Sequence, residues 1–271
     1  MWLDTIRSEL CEHVFNSSFQ KNWDVHWCNE IKILLDGDDM DLELFSERIR
    51  EIFLSASGGN RAPEQAGLQW RKFLWCILSI LSTADNELVI LGKPMMKRIV
   101  PKLIVEKLSI SIGDKPGLTH NPEFIILNLD NPLLKEEEIN ANNFKVLLEK
   151  NPELVRDITV VWSKTNFNDT IQQPMLWAKL GMLKSSEFAY NIKHAWVTVP
   201  SQKPEIFRPN TTPFHRAHIF DGGSYWGIGK QEVFGMSSIL DMISNWRDRI
   251  PILQSSDVIE KSIFYSNLGL K

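Results

Sequence analysis

Apolar positions recur at helical spacing through the first 56 residues, with Ile6, Leu10, Val14 and Phe15 in one series and Leu42, Leu44, Phe45, Ile49 and Phe53 in another. They predict an N-terminal helical addition. SASGGNRAP (55–63) breaks the pattern with Gly, Ser and Pro and reads as a loop. Behind it, Glu64 to Leu81 sets Leu68, Phe73, Leu74, Ile77 and Leu81 inward, the stripe of a helix packed on a sheet. From residue 88 the pattern changes to short β-rich runs at Leu88 to Leu91, Leu108 to Ile112, Phe124 to Leu129, Ile158 to Trp162 and Ala195 to Val199, each bounded by Gly, Pro, Asn or Asp. Helices are predicted at Asn142 to Glu149, Pro174 to Leu183 and Met236 to Arg247, the last bounded by Pro251. Strands and helices mixed in this order predict an α/β fold with a central mixed sheet flanked by helices. No repeat or linker divides the chain, so one domain is expected over residues 1–271: a helical addition (1–56), a core (57–250) and a C-terminal segment (251–271).

Composition narrows the class. Of 271 residues 43% are hydrophobic and 24% charged, which excludes disorder and collagen-like repetition. The longest apolar windows fall well short of the roughly 20 residues of a membrane span. The N-terminus carries acidic residues and no apolar core segment, so it does not read as a signal peptide. Three cysteines give no disulfide framework, and a reducing, cytoplasmic setting is expected. A net charge of −4 provides no global attraction to nucleic acid, so a DNA reading needs a local patch. Lys93 to Lys107 offers one, with Lys93, Lys97, Arg98, Lys102 and Lys107 against the single acid Glu106; the plain alternative is a solvated face. The ten tryptophans fit either a core or a stacking platform.

Several motifs are absent or wrongly spaced. Cys11, His13, His26 and Cys28 imitate a zinc site, but residues two apart on a helix point about 200° apart and cannot share one tetrahedral metal. His215 and His218 lack a third ligand at a defined spacing. There is no G-x-x-x-x-G-K-[ST], G-x-S-x-G or G-x-G-x-x-G, which removes support for nucleotide-hydrolase and α/β-hydrolase readings. Two apolar runs are more informative. NPEFIILNLD places Glu123 at the entry of one strand, and DITVVWSKTNFND places Lys164 at the end of the next. A carboxylate on one strand and a lysine ending its neighbour is a layout by which metal-dependent nucleases hold Mg²⁺ and orient water at a phosphodiester. A lysine closing an apolar strand is also ordinary snorkelling.

EQAGLQWRKFLW (64–75), TVVWSKTNFNDTIQQPMLWAKL (159–180), AWVTVPS (195–201) and DGGSYWG (221–227) together resemble segments found in the same order in type II restriction endonucleases of the PD-(D/E)XK superfamily. The likeness spans roughly residues 60–245 and is most specific from K-T-N-x-N-D through P-M-L-W. It implies a PD-(D/E)XK nuclease-like central mixed sheet flanked by helices, double-stranded DNA as partner, Mg²⁺ as cofactor, a homodimer and a prokaryotic cytoplasmic setting. By the same resemblance Glu123 is the metal-binding carboxylate and Lys164 the catalytic lysine, while Asn166, Asn168 and Asp169 lie near DNA; the glycines and flat aromatics of Asp221 to Gly227 set Tyr225 near DNA or at the dimer contact, with a tight structural turn as the alternative. Lys97 and Arg98 join them through the basic stretch.

The departures from that pattern are specific. Arg71 follows Trp70 where the family tends to have Glu, Glu123 stands for the metal-binding Asp, and Trp162 replaces the Gln or Glu two residues before Lys164. Period-two alternation gives Trp162 and Lys164 one sheet face unless the strand is bulged. A second metal ligand would have to come from elsewhere, with Glu64, Asp114 and Asp169 as candidates. Two main expectations follow: a sequence-specific, Mg²⁺-dependent endonuclease, or a catalytically impaired DNA-binding homologue acting as a partner or recognition subunit. A globular interaction protein is the third.

Overall fold

The computed structural model describes residues 3–37, 42–56, 63–84, 86–111, 119–130, 139–164, 191–198, 249–255 and 258–271. Four of the described strands form one mixed sheet in the order β1 (Glu87–Leu91), β4 (Phe124–Leu129), β5 (Val155–Lys164), β6 (Asn191–Thr198). The first three pair antiparallel, with Val89 opposite Ile126 and Phe124 opposite Val161. β6 runs parallel to β5, with Trp162 opposite Trp196 and Lys164 opposite Thr198. Phe124, Ile125, Ile126 and Leu127 are all buried, as expected of a strand covered on both faces. β2 (Ile110–Ser111) and β3 (Thr119–His120) make a separate small ribbon. Phe124 to Leu129 and Ile158 to Trp162 are therefore neighbouring strands, as the sequence predicts.

Helix α5 (Pro63–Leu81) packs on β1 and β5, and its Trp75 indole donates to the Val89 carbonyl (2.9 Å). Its stripe corrects the sequence in one place. Leu68, expected inward, is 42% exposed, while Trp70, Phe73, Leu74, Trp75, Cys76 and Leu78 are fully buried. The N-terminal helices α1 (Asp4–Val14), α2 (Ser17–Asn22), α3 (Cys28–Asp36) and α4 (Leu42–Ser55) meet α5 through an aromatic cluster. Trp27 stacks on Phe53 and meets Phe73 edge-on (centroids 5.8 and 5.0 Å apart), and Phe53 meets Trp70 edge-on (5.0 Å). Trp23, Trp27, Trp70 and Trp75 are all fully buried, so these four serve the core and form no platform.

β1 leads into α6 (Gly92–Ile99), followed by α7 (Lys102–Leu108), and α8 (Ala141–Lys150) packs against α6. The predicted strand from Leu108 is a second correction. Leu108 closes α7, a helix supported by the Lys102–Glu106 pair one turn apart (3.5 Å), and Ile110–Ser111 is the extended part among the described residues of that run. At the C-terminus, α9 (Arg249–Ser255), α10 (Val258–Lys261) and α11 (Ile263–Asn267) are described. Pro251 lies in the first turn of α9, where its missing N–H removes no intrahelical bond. The predicted helices at 174–183 and 236–247 lie outside the described residues. No helix among the described residues is long and apolar enough to cross a membrane.

Candidate functional site

Antiparallel pairing brings the start of β4 and the end of β5 to the same end of the sheet. Phe124 is the first residue of β4 and pairs with Val161, so Trp162, Ser163 and Lys164 extend past β4 and keep ladder partners only on β6. The backbone groups they turn toward β4 need other partners. Glu123, immediately before β4, supplies one. Its Oε2 accepts from the Ser163 amide (2.6 Å) and from the Ser163 hydroxyl (2.9 Å). Ser163 is 3% exposed, so both bonds are shielded from water. Hydrogen bonds to an ionised acceptor are the shorter and stronger kind, which fixes the carboxylate against β5.

The other oxygen of Glu123 faces α5. Oε1 lies 3.7 Å from Nη1 of Arg71, whose Nε donates to the Gly67 carbonyl (3.4 Å). The side chains are 15% exposed for Glu123 and 37% for Arg71, so this pair is half open to solvent and weak compared with the Ser163 contacts. The Glu123 backbone is engaged as well. Its carbonyl accepts from the amide of Gly92 (2.8 Å), where the chain turns from β1 into α6. Gly92 has φ +70°, a left-handed conformation that glycine adopts without steric cost.

Lys164 is the last residue of β5 and follows Ser163 directly; the side chains of Lys164 and Trp162 lie outside what is described. The β5–β6 register runs unbroken from Val161 to Lys164, so no bulge shifts Trp162 in that pairing. Glu64 sits in the first turn of α5, two turns before Arg71 and about 10 Å along the axis; its side chain also lies outside the described part. Asn166, Asn168, Asp169, Asp114, His215, His218, Asp221 and Tyr225 lie outside the described residues altogether. Nothing in the sequence marks Ser163 as the partner of Glu123: the run from Ile158 to Lys164 holds two small polar residues, Thr159 and Ser163. Arg71 stands out there only as a departure, not as the partner of Glu123.

The basic stretch divides. Arg98 donates to Glu9 (3.1 Å) and bonds to His13 Nε2, so it ties α6 to α1. Lys93, Lys97 and Lys102 face a hollow between α6, α7 and α8. Ser109 on its rim bonds to Asn121 (2.8 Å), two residues before Glu123, and Lys93 follows Gly92. The hollow thus borders the end of the sheet that carries Glu123.

Two members of the apparent zinc pattern have other partners. His13 meets Arg98, and Cys28 donates to the Leu268 carbonyl (3.3 Å). Burial pushes the Cys11 thiol up to about 12 and Cys76 well above the ordinary range, which keeps both protonated and unreactive.

Mg²⁺ takes oxygen ligands in near-octahedral geometry, commonly one or two carboxylates completed by water and phosphate. Among the described residues Glu123 offers one carboxylate, which already accepts two hydrogen bonds and faces a guanidinium; the side chain of Glu64 and all of Asp114 and Asp169, the other candidate ligands, lie outside what is described. Compared with protein families, with curated proteins and with solved structures, the chain matches none.

Proposed function

We propose that the chain binds double-stranded DNA on a restriction-endonuclease-like sheet, as a catalytically impaired homologue in which Arg71 supplies the positive charge that a metal would otherwise bring to Glu123. The observation that carries this reading is the Arg71–Glu123–Ser163 arrangement beside Lys164. The resemblance expects a metal-binding carboxylate at position 123, a second ligand at 162 and a glutamate at 71. The chain has tryptophan at 162 and arginine at 71, and that arginine faces the remaining carboxylate. The mixed sheet with α5 packed on it supports the nuclease-like form of the fold. The lysines at the same end of the sheet support a polyanionic partner. A homodimer is part of the proposal and is tested by sedimentation.

One observation favours the endonuclease reading: β4–β5 pairing sets Glu123 beside the residue preceding Lys164, as a cleavage site would need. The two readings separate in one experiment. The full chain is incubated with duplex DNA of mixed sequence, with and without Mg²⁺ or Mn²⁺, and examined by gel shift and for fragments. A salt-dependent shift without fragments supports the proposal, because phosphate contacts weaken steeply with salt. Discrete metal-dependent fragments that disappear in Lys164→Ala overturn it in favour of cleavage. No binding at low salt removes both.

A further inference from the structure

The hollow between α6, α7 and α8 has a volume of about 630 Å³ and is half open. It falls within the ~300–1,000 Å³ typical of small-molecule sites. Lys93 and Lys97 enter it from α6, Lys102 from α7 and Lys145 from α8. The one acid among the described residues that line it, Glu106, is paired with Lys102 (3.5 Å). Among the described residues no carboxylate pairs with Lys93, Lys97 or Lys145; the Lys145 ammonium donates to the Lys97 carbonyl (3.2 Å). Among the described residues that line it, four ammonium groups against one carboxylate give +3, on a chain whose net charge is −4.

A concave wall of one sign focuses potential and concentrates counter-ions. Lysines on three different helices converge on one space, so the ligand must present several negative charges in different directions. A single monoanion would leave most of the lysines without a counter-charge. Val105, 6% exposed, and the lysine methylenes add an apolar floor. We propose that this hollow binds a cluster of two or more phosphates, carried either by a free nucleoside triphosphate or by a short stretch of nucleic-acid backbone. Lysine ammoniums bind phosphate as point charges and impose no fixed geometry, which suits a linear polyphosphate as well as a strand. The hollow lies beside the sheet end that carries Glu123; its nucleic-acid branch rests on the DNA reading, and binding of a free polyphosphate does not.

The test is calorimetric titration of the full chain at low salt with inorganic tripolyphosphate, with ATP and with a short duplex. Wild type is compared with the double variant Lys97→Glu, Lys145→Glu and with a control pair of equal charge change far along the chain, Lys32→Glu, Lys271→Glu. Circular dichroism verifies that all three fold. The expected result is at least a tenfold loss of affinity in the Lys97/Lys145 variant and less than a twofold change in the control pair. Loss for tripolyphosphate and ATP alone identifies a free nucleotide as the source of the phosphates; loss for the duplex alone identifies the backbone. Binding of tripolyphosphate with no duplex binding keeps the hollow as a phosphate site while removing the DNA proposal. Equal losses in both variants, or no binding of any of the three probes, overturn the assignment.

Discussion

Arg7 and Arg71 are arginines on helices that pack near the sheet, and their surroundings differ in kind. Arg7 is 2% exposed and donates to the carbonyls of Ser82 (2.9 Å) and Glu87 (2.7 Å), joining α1 to the end of α5 and the start of β1. Burial pulls its guanidinium down to about 10 despite the nearby Asp4, Tyr265 and Glu87. Around it the fold is closed. Asp4 accepts from the Ser262 hydroxyl (2.6 Å) and the Ile263 amide (2.7 Å), Trp23 donates to Leu268 (2.8 Å), and Arg249 grips Glu87 through two bonds (2.6 and 2.9 Å). Arg71 instead reaches one carboxylate at 3.7 Å from a half-exposed position. The first region satisfies its charges internally and gains a fixed architecture. The second holds its charges loosely at the rim, where a ligand can compete for them.

The largest effect should come from breaking the closed region. Arg7→Ala leaves buried carbonyls and the Asp4 side of the network without their cation, and losses of about 3–5 kcal/mol are typical when one member of a buried charged network is removed. Urea denaturation should show it as a lower midpoint at unchanged slope. A loss below about 1 kcal/mol would mean that the network is not held together by Arg7 and that the contrast with Arg71 has no energetic content.

Alkali tests the same region next. Cys11 rises to about 12 and Cys76 well above its usual value through burial, so in the unfolded chain both ionise near 9 while in the folded chain they stay protonated. A group whose folded pKa is raised gives stability that is complete below the unfolded value and is lost as pH climbs through the folded one. From pH 9 toward 10 each thiol should come to cost about 1.4 kcal/mol per pH unit, partly offset by Arg7, which begins to lose its proton in the folded chain as the pH nears its value of about 10. Above pH 10, Tyr265, raised to about 12, adds to the loss, and Arg7, held low, opposes it. Chemical denaturation at pH 8, 9 and 10 checks the slope; a flat profile would contradict the burial of both thiols.

How much of this was legible beforehand depended on whether the signal was local. FIILNL between Glu123 and Asp130 is apolar at every position but Asn128, and its strand begins and ends where the composition changes. The helical addition was equally plain from spacing. α7 was hidden because Leu108, Ile110 and Ile112 alternate like a strand, while the Lys102–Glu106 pair that favours helix lies just before them. Leu68 was read inward because a periodic stripe has no sharp edge; Trp70 and Trp75 set the buried face. At the site, the positions of Glu123 and Lys164 at the ends of consecutive apolar runs were readable. The link from Arg71 to Glu123 was not, since it joins a helix to a strand through tertiary packing that no periodicity encodes.

At the sheet end, Glu123→Ala removes the acceptor for the Ser163 amide and hydroxyl, leaving two buried donors without it. About 1–3 kcal/mol should be lost. Glu123→Gln keeps a carbonyl oxygen there and should lose less, which separates hydrogen bonding from charge. If both variants match wild type within ~0.5 kcal/mol, Glu123 does not close the projecting end of β5 in solution.

The smallest effect on stability, and the most informative about the site, belongs to Arg71. A half-exposed pair at 3.7 Å contributes under about 1 kcal/mol and is screened by salt. Arg71→Gln should therefore barely move the denaturation midpoint, and the difference should vanish in 1 M salt, where the screening length is about 3 Å. Its effect on cation binding should be larger. With the guanidinium gone, Oε1 of Glu123 is available, and Arg71→Glu adds a second carboxylate facing the first. Two carboxylates suffice to anchor a hydrated divalent ion. Titration with Mn²⁺, followed by the loss of the free-ion paramagnetic resonance signal, should detect binding in Arg71→Glu, less in Arg71→Gln and none in wild type. Wild-type binding as tight as that of Arg71→Glu would show that the arginine does not take the metal's part, and the endonuclease reading would then be the stronger one.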